Sequence, residues 1–296
     1  MLNVYEQVSR NKRRSAIIIA FFIVFVIGVG GIISQALDWG WGGVILALIL
    51  ASGGSLLSYF GGDKIVLAMA GAHSVSKEKE FTLYTVVENL SLASRIPTPQ
   101  VYVSSEMAPN AFACGRNPQH ASICVTRGLL NTLNRTELEG VIGHEISHIK
   151  NFDTRLFAIV SILIGTISIL ANFLTRSLYW RDNDRKQGRG VFLAVGLILS
   201  IFSPLVGQLI QLAISRRREF LADASSAMLT RQPQGLINAL KKIFQNTIPL
   251  RSANSATAHF YIANPFNTKD TVRGITKLFN THPPIEDRVK ELEKMM

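Results

Sequence analysis

Cysteine is almost missing from this chain: Cys114 and Cys124 are the only two in 296 residues. That excludes a disulfide-stapled secreted scaffold, two cysteines alone make no zinc site, and both thiols are expected to be reduced. Acidic residues are scarce as well, 20 against 31 lysines and arginines, for a net charge of +11. The excess invites a nucleic-acid partner, but no nucleic-acid-binding motif is present, and the basic residues collect at the ends of apolar runs. Internal repeats and low-complexity tracts are absent too.

Charge is missing altogether over long stretches. Residues 15–35 carry none, and at about 1.5 Å per helical residue that is enough to cross about 30 Å of hydrocarbon. Residues 40–60 form a second uncharged run. A third, 156–178, is broken only by Arg176, and a fourth, 191–214, holds Pro204, Gln208 and Gln211. The expectation is a multi-pass helical membrane protein with about four spans. The first run is too long for a cleaved signal peptide, and no A-x-A-like site closes it. Gly28, Gly30 and Gly31 suit close helix packing, whether the first pair of spans only anchors the chain or also presents membrane substrates.

Basic residues set the orientation. Arg10, Lys12, Arg13 and Arg14 precede the first run and place the N-terminus in the cytoplasm; the turn after it has Asp38 and no Lys or Arg. Four segments follow: 1–60 with the N-terminal tail and two spans, a cytoplasmic 61–155, a hairpin of spans at 156–214, and a cytoplasmic 215–296 opening on Arg216-Arg217-Arg218. One loop disagrees. Residues 179–190 carry Arg181, Arg185, Lys186 and Arg189 against Asp182 and Asp184, so either the second hairpin is shallow or the stronger signals override it.

Within the first cytoplasmic segment, 65–70 is a short apolar stretch. Residues 78–94 show a helix-like stripe (Leu83, Val86, Val87, Leu90, Leu92) ended by Pro97 and Pro99. Residues 100–104 alternate as a strand, and 110–115 with 121–126 suggest a hairpin around Arg116-Asn117-Pro118-Gln119. Thr136 with Glu139 has capping-box spacing and predicts a helix over 136–151. Residues 250–267, rich in Ser, Asn, Ala and Thr, read as a loop. The fold class expected is α+β: a helical membrane protein carrying a cytoplasmic domain.

The helix 136–151 contains Gly143-His144-Glu145-Ile146-Ser147-His148. Histidines four apart lie on one helix face, so both imidazoles can reach one ion, and Glu145 beside them can take a proton from a metal-bound water. This is the HExxH pattern of zinc peptidases. A catalytic zinc site needs a third protein ligand. The best candidate is Glu219 in Arg218-Glu219-Phe220-Leu221-Ala222-Asp223; Glu137 and Glu139 lie on other parts of the helix surface. Asp223, four residues after Glu219, shares its face and could accept a hydrogen bond from a ligand histidine's far nitrogen. His282, on the rigid turn Thr281-His282-Pro283-Pro284, is a candidate to stabilise the oxyanion. His73, His120 and His259 have no partner spacing.

These motifs in this order, GHEISHIKNFD (143–153), RREFLADASSA (217–227) and THPPIEDR (281–288), together with the apolar runs, closely resemble the M48 family of membrane metallopeptidases, relatives of the CAAX prenyl proteases. The resemblance covers essentially the whole length. It implies a gluzincin-type zinc peptidase domain with one Zn2+ per chain, held by His144, His148 and Glu219, with Glu145 as general base. It also implies Asp223 and Arg288 as supporting residues around the ligands and His282 at the oxyanion or capping the metal. Asn110, Ala111 and Phe112 resemble the edge strand that holds substrate backbone by strand addition. Implied further are protein substrates, notably misfolded or damaged membrane proteins cut in quality control under stress, and a bacterial inner (cytoplasmic) membrane location with the site facing the cytoplasm.

A zinc transporter or metal sensor would also place histidines and acids near apolar spans, but its site belongs at bilayer depth. Here Arg135, Glu137, Glu139, Lys150, Asn151, Asp153 and Arg155 surround the motif, which keeps it out of hydrocarbon.

Overall fold

The computed structural model describes residues 4–36, 40–159, 216–246, 248–252, 260–263 and 283–296. Helices α1 (Val4–Ala36) and α2 (Trp41–Met69) pack against each other. The second expected span and the apolar stretch after it are thus one helix. Among the described residues no helix is long and apolar enough to cross a membrane. From residue 160 onward, the third and fourth expected spans lie outside the described residues.

A mixed four-stranded sheet follows, built from β1 (Ala72–Ser74), β2 (Gln100–Ser104), β3 (Ala111–Asn117) and β4 (His120–Thr126). Its order is β1-β2-β4-β3, with β2 parallel to β4 and the other pairs antiparallel. The hairpin expected around residues 116–119 is present, with a register irregularity between Gly115 and Asn117 that tightens it. Gly115 sits at φ +130, where a Cβ would lie 2.2 Å from the His120 carbonyl oxygen, so no larger residue fits this turn. Cys114 and Cys124 are free and buried in these strands, where burial pushes the Cys124 thiol up to about 12.

Helix α3 (Phe81–Ser94) begins three residues later than its stripe suggested and ends at Arg95, in left-handed conformation. After the short α4 (Arg127–Thr132) comes α5 (Arg135–Lys150). Its cap corrects the expected Thr136/Glu139 pairing. Asn134 is the N-cap and Glu137 its partner: the Asn134 side chain accepts from Glu137 N–H, and the Glu137 carboxylate accepts from Asn134 N–H, both at 2.9 Å. Glu137 is also paired with Lys242 at 2.7 Å, and Glu139 with Arg135 at 3.1 Å. Both acids are therefore committed away from the histidines.

Helices α6 (Arg216–Thr230), α7 (Pro233–Gln245) and α8 (Ile285–Glu293) complete the described elements. Residues on both sides of the 156–214 interval share one core: Val87, Ile123 and Ile142 pack in the same cluster as Leu236, Leu240 and Leu292. Helix α5 is buried on nearly all sides, between α3, α6, α7 and the edge strand β3. A helix buried all round is held by its packing, which is what a rigid metal scaffold requires.

Candidate metal and catalytic site

Two glycines let neighbouring helices approach α5. A Cβ at Gly143 would lie 2.7 Å from Ser226 Oγ of α6, and one at Gly140 would lie 2.7 Å from the Leu236 nitrogen of α7. Ser226 Oγ uses the proximity to donate to the Gly140 carbonyl at 2.6 Å. This close contact brings the first turn of α6, with Glu219, against the histidine face of α5.

The resulting donor set is compact. The side chains of His144, His148 and Glu219 offer ligating atoms that all lie within 4.8 Å of one another. His144 Nε2 stands 3.7 Å from Glu219 Oε2, and His148 Nε2 stands 3.6 Å from Glu219 Oε1. The two Nε2 atoms are 3.1 Å apart. All three residues are buried. On the far side of each ring a carboxylate accepts from Nδ1: Asp223 from His144 at 2.9 Å, Asp153 from His148 at 3.0 Å. That pattern turns Nε2 of both rings towards the ligating position. Two imidazoles, one carboxylate and a pair of orienting carboxylates suit a divalent cation of the zinc class.

Asp223 is in turn gripped by Arg288 from α8, which donates through Nε at 2.8 Å and Nη2 at 2.6 Å; its Nη1 donates to the Ile262 carbonyl at 3.1 Å. Burial alone would raise the Asp223 carboxyl, but the charge and hydrogen bonds of Arg288 hold it below the usual carboxylate range. Arg288→Ala would strand that buried anion. It is expected to cost about 3–5 kcal/mol of stability, read from thermal or denaturant unfolding of the purified protein; a loss below 1 kcal/mol would show the pair to be dispensable.

Without metal, the two rings titrate apart. Burial and the neighbouring His148 push His144 down to about 4. Burial also disfavours charge on His148, yet the hydrogen bond to Asp153 and the nearby Glu219 overcome it and raise the ring to about 9. At neutral pH a metal must therefore displace a proton from His148. The sign follows: protons compete below pH 9, so apparent affinity should rise with pH, by up to about tenfold per unit between pH 6 and 9. Chelator competition across that range measures it, and a flat profile would contradict a protonated resting His148.

Glu145 is buried and hydrogen-bonded by the Ala113 backbone N–H of β3; burial foremost raises its carboxyl to about 7. A carboxylate poised near neutrality, held by the sheet edge beside the donor set, suits a general base.

Asn110, Ala111 and Phe112 are buried in and beside β3, and the edge there is already in use. Ile262 N–H donates to the Ala111 carbonyl at 3.0 Å, and Asn110 Nδ2 donates to the Ala263 carbonyl at 3.2 Å. A substrate strand laid on β3 must displace residues 260–263 or run beyond them, towards Ala113. Phe112, Phe157 and Phe260 form an aromatic wall here, with the Phe157 ring 5.6 Å from His148. His282 lies outside the described residues. Three further polar residues join the site without having been singled out beforehand: Asp153, Asn11 and Arg218. Asp153 stands inside the GHEISHIKNFD motif, but its approach to His148 depends on a chain reversal at Phe152, at φ +60, which spacing does not announce.

The model of peptidase family M48 matches residues 77–296. A protein named "Protease HtpX homolog" from Caldanaerobacter subterraneus subsp. tengcongensis is 43% identical over 298 residues, covering 99% of this chain and 98% of that protein. One of the same name from Lactobacillus helveticus is 38% identical, covering 99% and 100%. The crystal structure of S. mikatae Ste24p superposes with a TM-score of 0.44 at 18% identity, over 84% of this chain and 64% of that one.

Proposed function

This chain belongs to peptidase family M48 and is a metallopeptidase, and from that premise we propose that it is a zinc endopeptidase of the bacterial cytoplasmic membrane. Its substrates in this reading are misfolded or damaged membrane proteins, cut on the cytoplasmic side. The observation that carries the reading is the convergence of His144, His148 and Glu219 around one point, with Glu145 beside them. Bound there, zinc supplies a Lewis acid and brings the pKa of a coordinated water towards about 7. The chain's own residues do the rest. Glu145 accepts the proton of the attacking water and returns it to the leaving amine. Asp223, clamped by Arg288, holds the ring of His144, and Asp153 holds that of His148. His282 is assigned to the developing oxyanion.

The membrane reading is supported by the uncharged runs and by apolar surface on the first two helices. Ile17 and Val24 of α1 and Ile45 and Ile49 of α2 are 56%, 68%, 56% and 61% exposed, and large apolar side chains left open on two packed helices suit contact with lipid. Zinc-dependent cleavage of an unfolded protein by detergent-purified enzyme tests the activity. Labelling a cysteine at Asn183 from outside intact cells tests whether the second hairpin crosses; no labelling there, with labelling after lysis, would make it shallow.

A further inference from the structure

The hydrogen bonds behind His148 reach the N-terminal part of α1, at Asn11, 140 residues before Asn151 in sequence. Asp153 accepts from His148 through Oδ2 and, through Oδ1, from Asn11 Nδ2 at 2.7 Å. The same amide nitrogen donates to the Asn151 carbonyl at 2.9 Å. Arg218 Nη1, one residue before Glu219, donates to Asn11 Oδ1 at 3.4 Å and lies 3.6 Å from Asp153 Oδ1. Asn11 is only 2% exposed, although α1 contributes no ligand.

Its neighbour acts on the same turn. Lys12 Nζ lies 4.5 Å over the ring of Phe152, the residue held at φ +60. A non-glycine residue in that conformation costs free energy unless its surroundings hold it. This reversal is what turns Asp153 back onto His148. Asn11 thus bonds the carbonyl before Phe152 and the carboxylate after it, while Lys12 covers the ring between them. Were α1 only a cover for α5, an apolar side chain at position 11 would serve, without the cost of burying an amide. As a neutral donor the amide fixes Asp153 without adding a second positive charge to that of Arg218, which lies 3.6 Å from the same oxygen.

We propose that Asn11 is a positioning residue of the metal centre: by holding Asp153 it sets the ring of His148, so the tail before the first apolar run is built into the site. The inference rests on the metal-site reading above. Full-length protein in detergent, titrated with zinc against a chromophoric chelator, tests it through affinity. Asn11→Leu is expected to hold zinc about tenfold more weakly, the range seen when partners behind a ligand are lost. Asp153→Asn should do at least as much, and Asn11→Leu added to it should do no more, because both act through one contact. Asn11→Asp keeps the volume but turns an oxygen towards Asp153. It should weaken zinc as well, and it stands in if the leucine variant does not fold. Unchanged affinity in Asn11→Asp, or losses that add in the double variant, overturns the proposal in favour of a packing role. Full zinc retention in His148→Ala would instead remove the metal-site reading itself.

Discussion

Glu145→Gln is expected to lower peptide cleavage by about 10²–10⁴-fold, the contribution of a positioned proton-transfer group, with metal content unchanged. The amide matches the carboxylate in shape, and its oxygen can still accept from the Ala113 N–H. What it loses is the ability to take a proton. Because Glu145 is none of the three clustered donors, zinc should stay. Cleavage of an unfolded protein and atomic emission on the same preparations separate the two effects. Activity near that of the parent enzyme would show the proton going elsewhere; loss of metal would show Glu145 holding the ion rather than serving it.

Glu219→Ala removes the sole carboxylate from the donor cluster and is expected to weaken zinc by more than about 100-fold, since changes behind the ligands alone cost 10–100-fold. Proteolysis should fall to background with it. A second consequence follows from charge. Glu219 is among the groups that raise His148, so the variant's metal-free ring should lose its proton at lower pH. Zinc content by emission gives the first result and histidine NMR of the metal-free protein the second. Full occupancy in Glu219→Ala would place the third ligand on another residue.

Local patterns made much of this protein readable in one dimension. Histidines at i and i+4 must share a face on any α-helix, so His144 and His148 converge whatever packs around them. Alternation marked β2, two β-prone runs around Arg116-Asn117-Pro118-Gln119 marked the hairpin, and the uncharged runs 15–35 and 40–60 lie along α1 and α2. The order of the motifs was enough to identify the family. Where reading failed, two local options were nearly equal. Asn134/Glu137 and Thr136/Glu139 both offer a cap and a partner three residues on, and the choice fell to the register that also lets Glu137 meet Lys242.

Other features depended on contacts between distant parts of the chain. Glu219 reaches the histidines because Gly143 leaves room for Ser226 of α6. The Ala111 edge is taken by residues 260–263, and Asn11 closes the turn behind His148 from the other end of the chain. None of these has a period or a spacing. The chemistry was legible along the chain, because helix geometry and side-chain type act over a few residues. That Asp223 orients His144, and that Asn11 holds Asp153 behind His148, came from packing in three dimensions, because hydrogen bonds between segments 79 or 142 residues apart form only once the core has set those segments side by side.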